Sequence, residues 1–282
     1  MCSLRISFTR CRSSCRSLKP ARMHNTIEAT QITFEKVYMR VIVTENFTQT
    51  CEIAADMIAE VVRNKPDARL GLATGSTAQG VYPFLIRAYE LGRVDFSRVD
   101  TVNLDEYVGL APDHPQSYRR FMNENLFDHI NIPMQNTIVA EGIGDIEANV
   151  REFRLALARK PIDVQLLGIG VDGHVGFNEP GHVLYDAAHV EALNESTIDA
   201  NARFFAAREE VPMQAISMGM GDILRARKLL LLATGENKTK AMKSLLLNEE
   251  IDTQNPATLV KMHPDVTVII DKPMATSVGY AY

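Results

Sequence analysis

Short apolar runs alternate with longer amphipathic stretches along most of the chain. Apolar runs bounded by polar or glycine-rich turns predict buried strands, which are expected at 41–43, 70–73, 99–104, 164–169, 190–193, 215–218, 229–233 and 266–270. Apolar residues at helical spacing predict helices over 46–63, 78–91, 117–127 and 146–158. Strands alternating with helices predict an α/β fold, with a mainly parallel sheet covered by helices on both faces. Because no linker interrupts the interior, a single domain is expected.

The stretch 163–181 places three ionisable side chains on a glycine-rich turn. A strand opens the stretch, and Asp172, His174 and Glu179 follow within eight positions. Each has a plainer interpretation alone: Asp172 could brace the turn, His174 could be solvated and Glu179 could be a surface carboxylate. Ligands of open α/β sheets bind at the carboxyl ends of strands, and acid/base chemistry needs several titratable groups close together. The grouping therefore favours a catalytic loop.

Two other strands end in turns that are rich in glycine and hydroxyl groups. Gly75, Ser76 and Thr77 follow one strand, whereas Gly235 and Lys238 follow the other at the start of a helix. Backbone N–H groups at a helix start bind anions, so both turns are candidate phosphate sites. The alternatives are that the first turn only caps its helix and that Lys238 is an exposed helix residue.

Two acidic residues follow the strand at 99–104. Asp105 and Glu106 stand next to each other there, directly before Tyr107. At the carboxyl end of a parallel strand both acids are expected to face the ligand edge. The alternative is a solvated polar loop.

Composition excludes several classes of partner. The 282 residues are 46% hydrophobic and 23% charged, as in globular proteins, and the net charge of −5 offers no basic field for nucleic acid. No apolar run reaches the roughly 18 residues of a membrane span. Three of the four cysteines (Cys2, Cys11 and Cys15) lie in the first 15 residues, with no disulfide framework or zinc pattern. A reducing, cytoplasmic location is expected.

The two ends of the chain differ from its middle. Residues 1–22 hold six basic residues and no acid, which is typical of a transit peptide. The favoured alternative is a mis-assigned start with Met39 as the true first residue, because a predicted strand begins there. A third interpretation is a basic arm that binds a partner. The sequence thus predicts an extension over 1–38, disordered or mis-assigned, one domain over 39–272 and a tail over 273–282.

The motifs together resemble the glucosamine-6-phosphate deaminase/isomerase family. Residues 168–181 read Gly-Ile-Gly-Val-Asp-Gly-His-Val-Gly-Phe-Asn-Glu-Pro-Gly, which is similar to the family signature, and residues 103–110, Asn-Leu-Asp-Glu-Tyr-Val-Gly-Leu, are similar to its second motif. Further matching segments follow the family's order, at 73–77, 203–205 and 235–238. The Phe-Asn-Glu-Pro half distinguishes deaminases from 6-phosphogluconolactonases, which share the fold and the Gly-His core. The resemblance covers roughly residues 39–272.

The resemblance implies a modified Rossmann-like fold and the conversion of glucosamine 6-phosphate and water to fructose 6-phosphate and ammonia. It implies that His174, supported by Asp172 and Glu179, opens the sugar ring. Asp105 would then move the C2 proton to C1. The implied phosphate ligands are Gly75, Ser76, Thr77, Arg203 and Lys238. No metal and no organic cofactor is implied.

The same resemblance leaves several alternatives open. Residues 181–190 contain no Arg or Lys, whereas allosteric hexamers of the family carry basic residues just after the Glu-Pro loop. A homo-oligomer remains open, but an allosteric hexamer is not expected. The substrate could instead be galactosamine 6-phosphate. A phosphogluconolactonase-type hydrolase and a sugar-phosphate sensor are the remaining alternatives. The expected partner is a small amino-sugar phosphate, with neither nucleic acid nor membrane involved.

Overall fold

The centre of the fold is a parallel sheet of seven strands, seen in a computed structural model that describes residues 39–282. Its strands are β1 (Met39–Thr44), β2 (Arg69–Leu72), β3 (Asp100–Asn103), β5 (Thr137–Ile138), β6 (Val164–Leu167), β9 (Leu229–Ala233) and β10 (Val266–Asp271). Their order across the sheet is β1-β10-β9-β6-β2-β3-β5, and every neighbouring pair is parallel. Strands β2, β6, β9 and β10 are buried at every position, so protein covers both faces of the sheet.

Helices surround this sheet within a single domain. They are α1 (Phe47–Asn64), α2 (Ser76–Gln79), α3 (Tyr82–Glu90), α4 (Tyr118–Asn125), α5 (Ile146–Ala158), α6 (Glu195–Asn201), α7 (Met220–Leu224), α8 (Thr239–Leu247) and α9 (Lys272–Val278). The helical spacing over 46–63 predicts an apolar face of Phe47, Cys51, Ala54, Ile58 and Val61. This is confirmed in part: Cys51, Ala54 and Ile58 are buried, but Val61 is half-buried and Phe47 is 40% exposed. The α/β class with a mainly parallel, helix-covered sheet is confirmed.

A second, smaller sheet branches from the carboxyl end of β3. It is antiparallel, with the order β4-β8-β7, and consists of β4 (Asp105–Tyr107), β7 (His189–Ala192) and β8 (Gln214–Ser217). The strands near 190 and 215 were predicted, but no strand was predicted over Asp105–Tyr107, for which a solvated polar loop was the alternative. The chain instead stays extended there because β4 pairs with β8, whose backbone satisfies its N–H and C=O groups.

Two further predictions need correction. The helix expected over 78–91 is divided into α2 and α3, because Pro83 in the first turn of α3 has no N–H with which to continue the hydrogen-bond ladder from α2. The tail expected over 273–282 begins with helix α9, which buries Met274 and Val278 against the core. The predictions for residues 1–38 lie outside the described residues. Within the described part, no helix combines the length and the apolar character needed to span a membrane.

Candidate active site

A cleft of about 710 Å³ opens at the carboxyl ends of β9, β6, β2 and β3. These four strands lie next to one another in the middle of the central sheet. Ligands of open α/β sheets bind at this edge. The cleft is lined by seven of the nine predicted site residues: Gly75, Ser76, Thr77, Asp105, His174, Arg203 and Lys238. The other two, Asp172 and Glu179, lie beside His174. One cleft therefore collects residues that the sequence spreads over more than 160 positions.

The loop after β6 is a tight turn that presents His174. The N–H of Gly170 donates to the carbonyl of His174 at 2.9 Å, and the N–H of Gly173 donates to the carbonyl of Gly170 at 3.2 Å. Gly173 has a φ of +95°, a conformation that favours glycine, and the side chain of Asn255 packs against its Cα. The N–H of Ala257 also donates to the Gly173 carbonyl, at 2.9 Å. The contacts of residues 255–257 with Gly173 therefore hold the turn in place.

His174 lies between two carboxylates. Its Nδ1 is 2.8 Å from Oδ1 of Asp172 and 3.9 Å from Oε2 of Glu179. Burial works against an imidazolium, but Asp172, Glu179 and Asp105 outweigh it and raise the pKa of His174 above its ordinary value. Burial likewise opposes a charge on Asp172, yet the hydrogen bond and charge of His174 prevail and lower the pKa of Asp172 to about 2. This arrangement can hold and release a proton at His174.

Helix α6 closes over these carboxylates. Asn194, just before the helix, donates to Oε2 of Glu179 at 3.1 Å, and the Ser196 hydroxyl donates to Oδ2 of Asp172 at 3.3 Å. Glu179 is 4% exposed, and burial raises its pKa against the opposing charge of His174. The sequence analysis missed Asn194 and Ser196. Their local sequence only indicates a helix start, which gives no sign of the distant carboxylates they contact.

Asp105 enters the cleft from the start of β4. It is 5% exposed, and Gly176 of the His174 loop lies against it: a Cβ there would be 3.4 Å from Oδ2 of Asp105. Burial, followed by the charge of Glu106, raises the pKa of Asp105 to about 8, although the charge of His174 opposes this. A carboxyl group with a pKa near neutrality can both accept and return a proton.

Glu106 does not face the ligand edge, contrary to the expectation from the sequence. Successive side chains of a strand point to opposite faces, so the extended backbone of β4 turns Glu106 away when Asp105 points into the cleft. The Glu106 carboxylate instead accepts hydrogen bonds from the start of α4.

The opposite end of the cleft carries positive charge and free backbone N–H groups. Gly75 and Gly235, with φ of +90° and +92°, form the turns after β2 and β9. Nζ of Lys238 donates to Oγ1 of Thr77 at 3.3 Å and so links the two turns. Burial, and then the charge of Arg203, lowers the pKa of Lys238. Two cations this close together, beside a helix start, can bind a phosphate group.

Three side chains of the loop after β6 also lie close enough together to hold a metal ion. One candidate ligand atom each from Asp172, His174 and Glu179 lies within 4.8 Å of the others. The carboxylate and imidazole donors would suit a divalent cation chemically. The expectation that the reaction needs no metal therefore stays a prediction.

Aromatic residues that sequence analysis did not select complete the walls. Tyr118 and Phe177 both line the cleft, with their rings stacked at a centroid distance of 6.0 Å. Phe47 lines it from the first turn of α1. Phe47 and Tyr118 lie on helices, where an aromatic residue predicts core as readily as cleft, and Phe177 was noted only as part of the family signature.

The chain matches the sequence model described as glucosamine-6-phosphate isomerases/6-phosphogluconolactonase over residues 44–269. It belongs to this family. It is 48% identical over 240 residues to the glucosamine-6-phosphate deaminase of Thermoanaerobacter pseudethanolicus, which covers 84% of this chain and 94% of that relative. The corresponding protein of Clostridium perfringens is 48% identical over 242 residues, covering 84% and 98%. The family resemblance read from the motifs is thus confirmed.

Solved structures place family members on the same fold. A monomeric glucosamine-6-phosphate deaminase superposes with a TM-score of 0.82 at 41% identity, covering 85% of this chain and all of that one. A 6-phosphogluconolactonase from Trypanosoma brucei gives a TM-score of 0.67 at 19% identity, covering 86% of this chain and 98% of that one. The second likeness shows the shared fold alone.

Proposed function

We propose that this protein is a glucosamine-6-phosphate deaminase, which converts glucosamine 6-phosphate and water to fructose 6-phosphate and ammonia. The observation that carries the proposal is a single cleft with buried proton-transfer groups at one end and two neighbouring cations at the other. Relatives about half identical in sequence bear this name. A sugar phosphate can bind across the cleft, with its phosphate remote from the reacting carbons.

In this proposal the phosphate is held by the turn at Gly75, Ser76 and Thr77 together with Arg203 and Lys238. Arginine suits a bidentate contact, whereas lysine acts as a point charge. The binding energy of the phosphate orients the sugar for the chemical steps. This predicts that losses at this end act mainly on substrate binding.

His174 opens the sugar ring by moving a proton between the anomeric hydroxyl and the ring oxygen. Its raised pKa, caused by Asp172 and Glu179 against the effect of burial, supports the protonated form that donates to the ring oxygen. Asp172 keeps the imidazole oriented through its 2.8 Å contact. Glu179 adds a second negative charge nearby.

Asp105 then takes the proton from C2 of the open sugar and returns it to C1. In the same rearrangement the carbonyl oxygen at C1 gains a proton and the amine nitrogen at C2 loses one, which leaves an imine at C2. Water adds to this imine and releases ammonia and fructose 6-phosphate, so atoms and charge balance without any change of oxidation state overall. A base with a pKa of about 8 suits both the removal and the return of the proton.

The test is ammonia release by the purified protein from glucosamine 6-phosphate, with galactosamine 6-phosphate in parallel. We expect ammonia and fructose 6-phosphate in equal amounts, unchanged by EDTA. Release from the galacto epimer alone would change the substrate and keep the mechanism. Loss of activity with EDTA, restored by a divalent cation, would contradict the metal-free reaction. The absence of ammonia from both sugars would favour lactone hydrolysis or sugar-phosphate sensing.

The assembly state is a separate part of the proposal. Residues 181–190 lack Arg and Lys, so we infer that no allosteric hexamer regulated by an anionic effector forms. Light scattering during size-exclusion chromatography measures the mass directly. A hexamer with sigmoidal kinetics would contradict the inference. Cytoplasmic location stays a prediction.

A further inference from the structure

Glu106 is a buried carboxylate to which the proposed reaction gives no task. It follows Asp105 in β4, is 2% exposed and does not line the cleft. A carboxylate is costly to bury unless hydrogen bonds and charge compensate for the loss of water. Its contacts therefore indicate what it does.

Three backbone N–H groups donate to the Glu106 carboxylate. Oε1 accepts from the N–H groups of Tyr107 at 2.8 Å and Tyr118 at 2.9 Å, and Oε2 accepts from that of Arg119 at 2.9 Å. Tyr118 and Arg119 open helix α4, where the first N–H groups have no partner within the helix. Glu106 thus ties the start of α4 to the strand that carries Asp105.

The residue held in this way forms part of the cleft wall. The Tyr118 ring stacks on Phe177 and lies 4.9 Å, between centroids, from the ring of Tyr107. Phe177 belongs to the loop that carries His174. A shift of the first turn of α4 would move Tyr118 and disturb the wall between Asp105 and the His174 loop.

The charge of Glu106 also lies beside the proposed base. Among residues 39–282 no cation forms a salt bridge with Glu106, because the guanidinium of Arg119 donates to Oγ1 and O of Thr137, at 2.7 and 2.8 Å. The other ionisable groups near Asp105 and Glu106 are His174, Tyr82, Tyr107, Tyr118 and Arg119.

Both neighbouring carboxyl groups titrate near neutrality. Burial raises the pKa of Glu106 to about 7, although the three N–H groups and the charge of Arg119 lower it. Burial and the charge of Glu106 raise the pKa of Asp105 to about 8. Because each charge disfavours the other, the two groups titrate as a coupled pair.

We propose that Glu106 is a positioning residue: it fixes Tyr118 in the wall of the cleft and places a negative charge directly behind the base Asp105. The role rests on the function proposed above for Asp105. It has two separable parts, an anchor for α4 and a charge. Loss of the hydrogen bonds that anchor α4 lowers kcat, whereas loss of the negative charge changes the pH at which Asp105 ionises.

The test compares the pH profile of kcat/KM for ammonia release in Glu106→Gln and the unmodified protein. Glutamine keeps the shape but removes the charge, which lowers the pKa of Asp105, so the acid limb moves to lower pH by about one unit. Its amide has a single oxygen and cannot accept from all three N–H groups, so the anchor weakens and kcat falls about tenfold. The substrate titrates equally in both proteins, so the shift reports on the enzyme.

Three further variants separate the two parts. Glu106→Asp keeps the charge but is too short for the anchor, so kcat falls and the acid limb stays; it also serves as the test if Glu106→Gln does not fold. Ser117→Ala removes the N-cap hydrogen bond to Arg120, of 3.1 Å, without any change of charge, and leaves the limb in place. Glu124→Gln removes an exposed charge from α4 and changes neither quantity.

An acid limb that does not move in Glu106→Gln, or that moves equally in Ser117→Ala, would overturn the charge role. Unchanged kcat in both Glu106 variants would overturn the anchor role. If the unmodified protein released no ammonia, the proposed function would fail together with this inference. These outcomes are distinct, because the first two require an active parent enzyme.

Discussion

The two ends of the cleft are built on different physical principles. At the catalytic end Asp105 and Glu179 are about 95% buried, and burial is the largest cause of their raised pKa values. At the phosphate end Gly75, Ser76 and Arg203 are exposed, although Thr77 is buried and Lys238 is half-buried. This end consists of backbone N–H groups and cations in a more open part of the cleft. Proton transfer needs groups whose pKa is tuned by exclusion of water, whereas phosphate binding needs only correctly placed positive charge.

The sharpest test of this difference is Asp105→Asn. The amide has nearly the shape of the carboxyl group but cannot take the C2 proton, so kcat falls by about 10²- to 10⁴-fold while binding of fructose 6-phosphate stays largely intact. Steady-state kinetics and calorimetric binding measure both quantities. Asp128→Asn, at an exposed position, is the matched control. Near-full turnover in Asp105→Asn would remove Asp105 from the base role.

A pair of glycine variants tests how tightly the catalytic end is packed. A Cβ on Gly170 would overlap the imidazole ring of His174, whereas a Cβ on Gly181, at the end of the same loop and outside the cleft lining, meets no atom closer than 3.5 Å. We expect Gly170→Ala to displace His174 and lower kcat by roughly 10²-fold, with little change in phosphate binding. Gly181→Ala keeps activity. Equal kinetics for the two variants would show that the position of His174 is not critical.

The contrast also explains what the sequence could predict of the fold. Strand β9 and helix α5 were predicted with their observed bounds, because a continuous apolar run and a helical period are local signals. Strand β4 was missed because its pairing partner, β8, lies more than 100 residues away, and two of its three residues, Asp105 and Glu106, are of types depleted in strands. Helix α9 was missed although Asp271 caps it and Gly279 ends it.

For the site, the sequence showed which side chains lie close together on one loop, but it did not show in which direction side chains point. Asp172, His174 and Glu179 occur on one short loop, so their meeting could be predicted from sequence spacing. The direction of Glu106 depends on the extended backbone of β4, which only the antiparallel pairing sets. Asn194 and Ser196 reach the carboxylates through the fold alone. The roles of all these residues in the reaction stay predictions until the variants are measured.

At the phosphate end, Lys238→Ala should act on binding instead of chemistry. Loss of one charged contact weakens phosphate binding by about 1.5–3 kcal/mol, which raises KM roughly 10- to 150-fold with a smaller effect on kcat. Lys240→Ala, at an exposed position two residues later, leaves KM unchanged. An unchanged KM in Lys238→Ala would make Lys238 a surface residue, and a fall in kcat alone would contradict the division of the cleft into two ends.

The smallest expected effect concerns the charge of Lys238 at high pH. Burial and the neighbouring charge of Arg203 lower its pKa, so the ammonium loses its proton earlier than an exposed lysine as the pH rises, and phosphate affinity falls. Arginine stays charged, so Lys238→Arg should reduce the loss of affinity as the pH rises toward 10.5, the ordinary lysine pKa. The measurement is binding of fructose 6-phosphate, which carries no amine of its own. An identical decline in both proteins would mean that a group other than Lys238 causes it. Burial would then have no effect on the charge of Lys238 in this pH range.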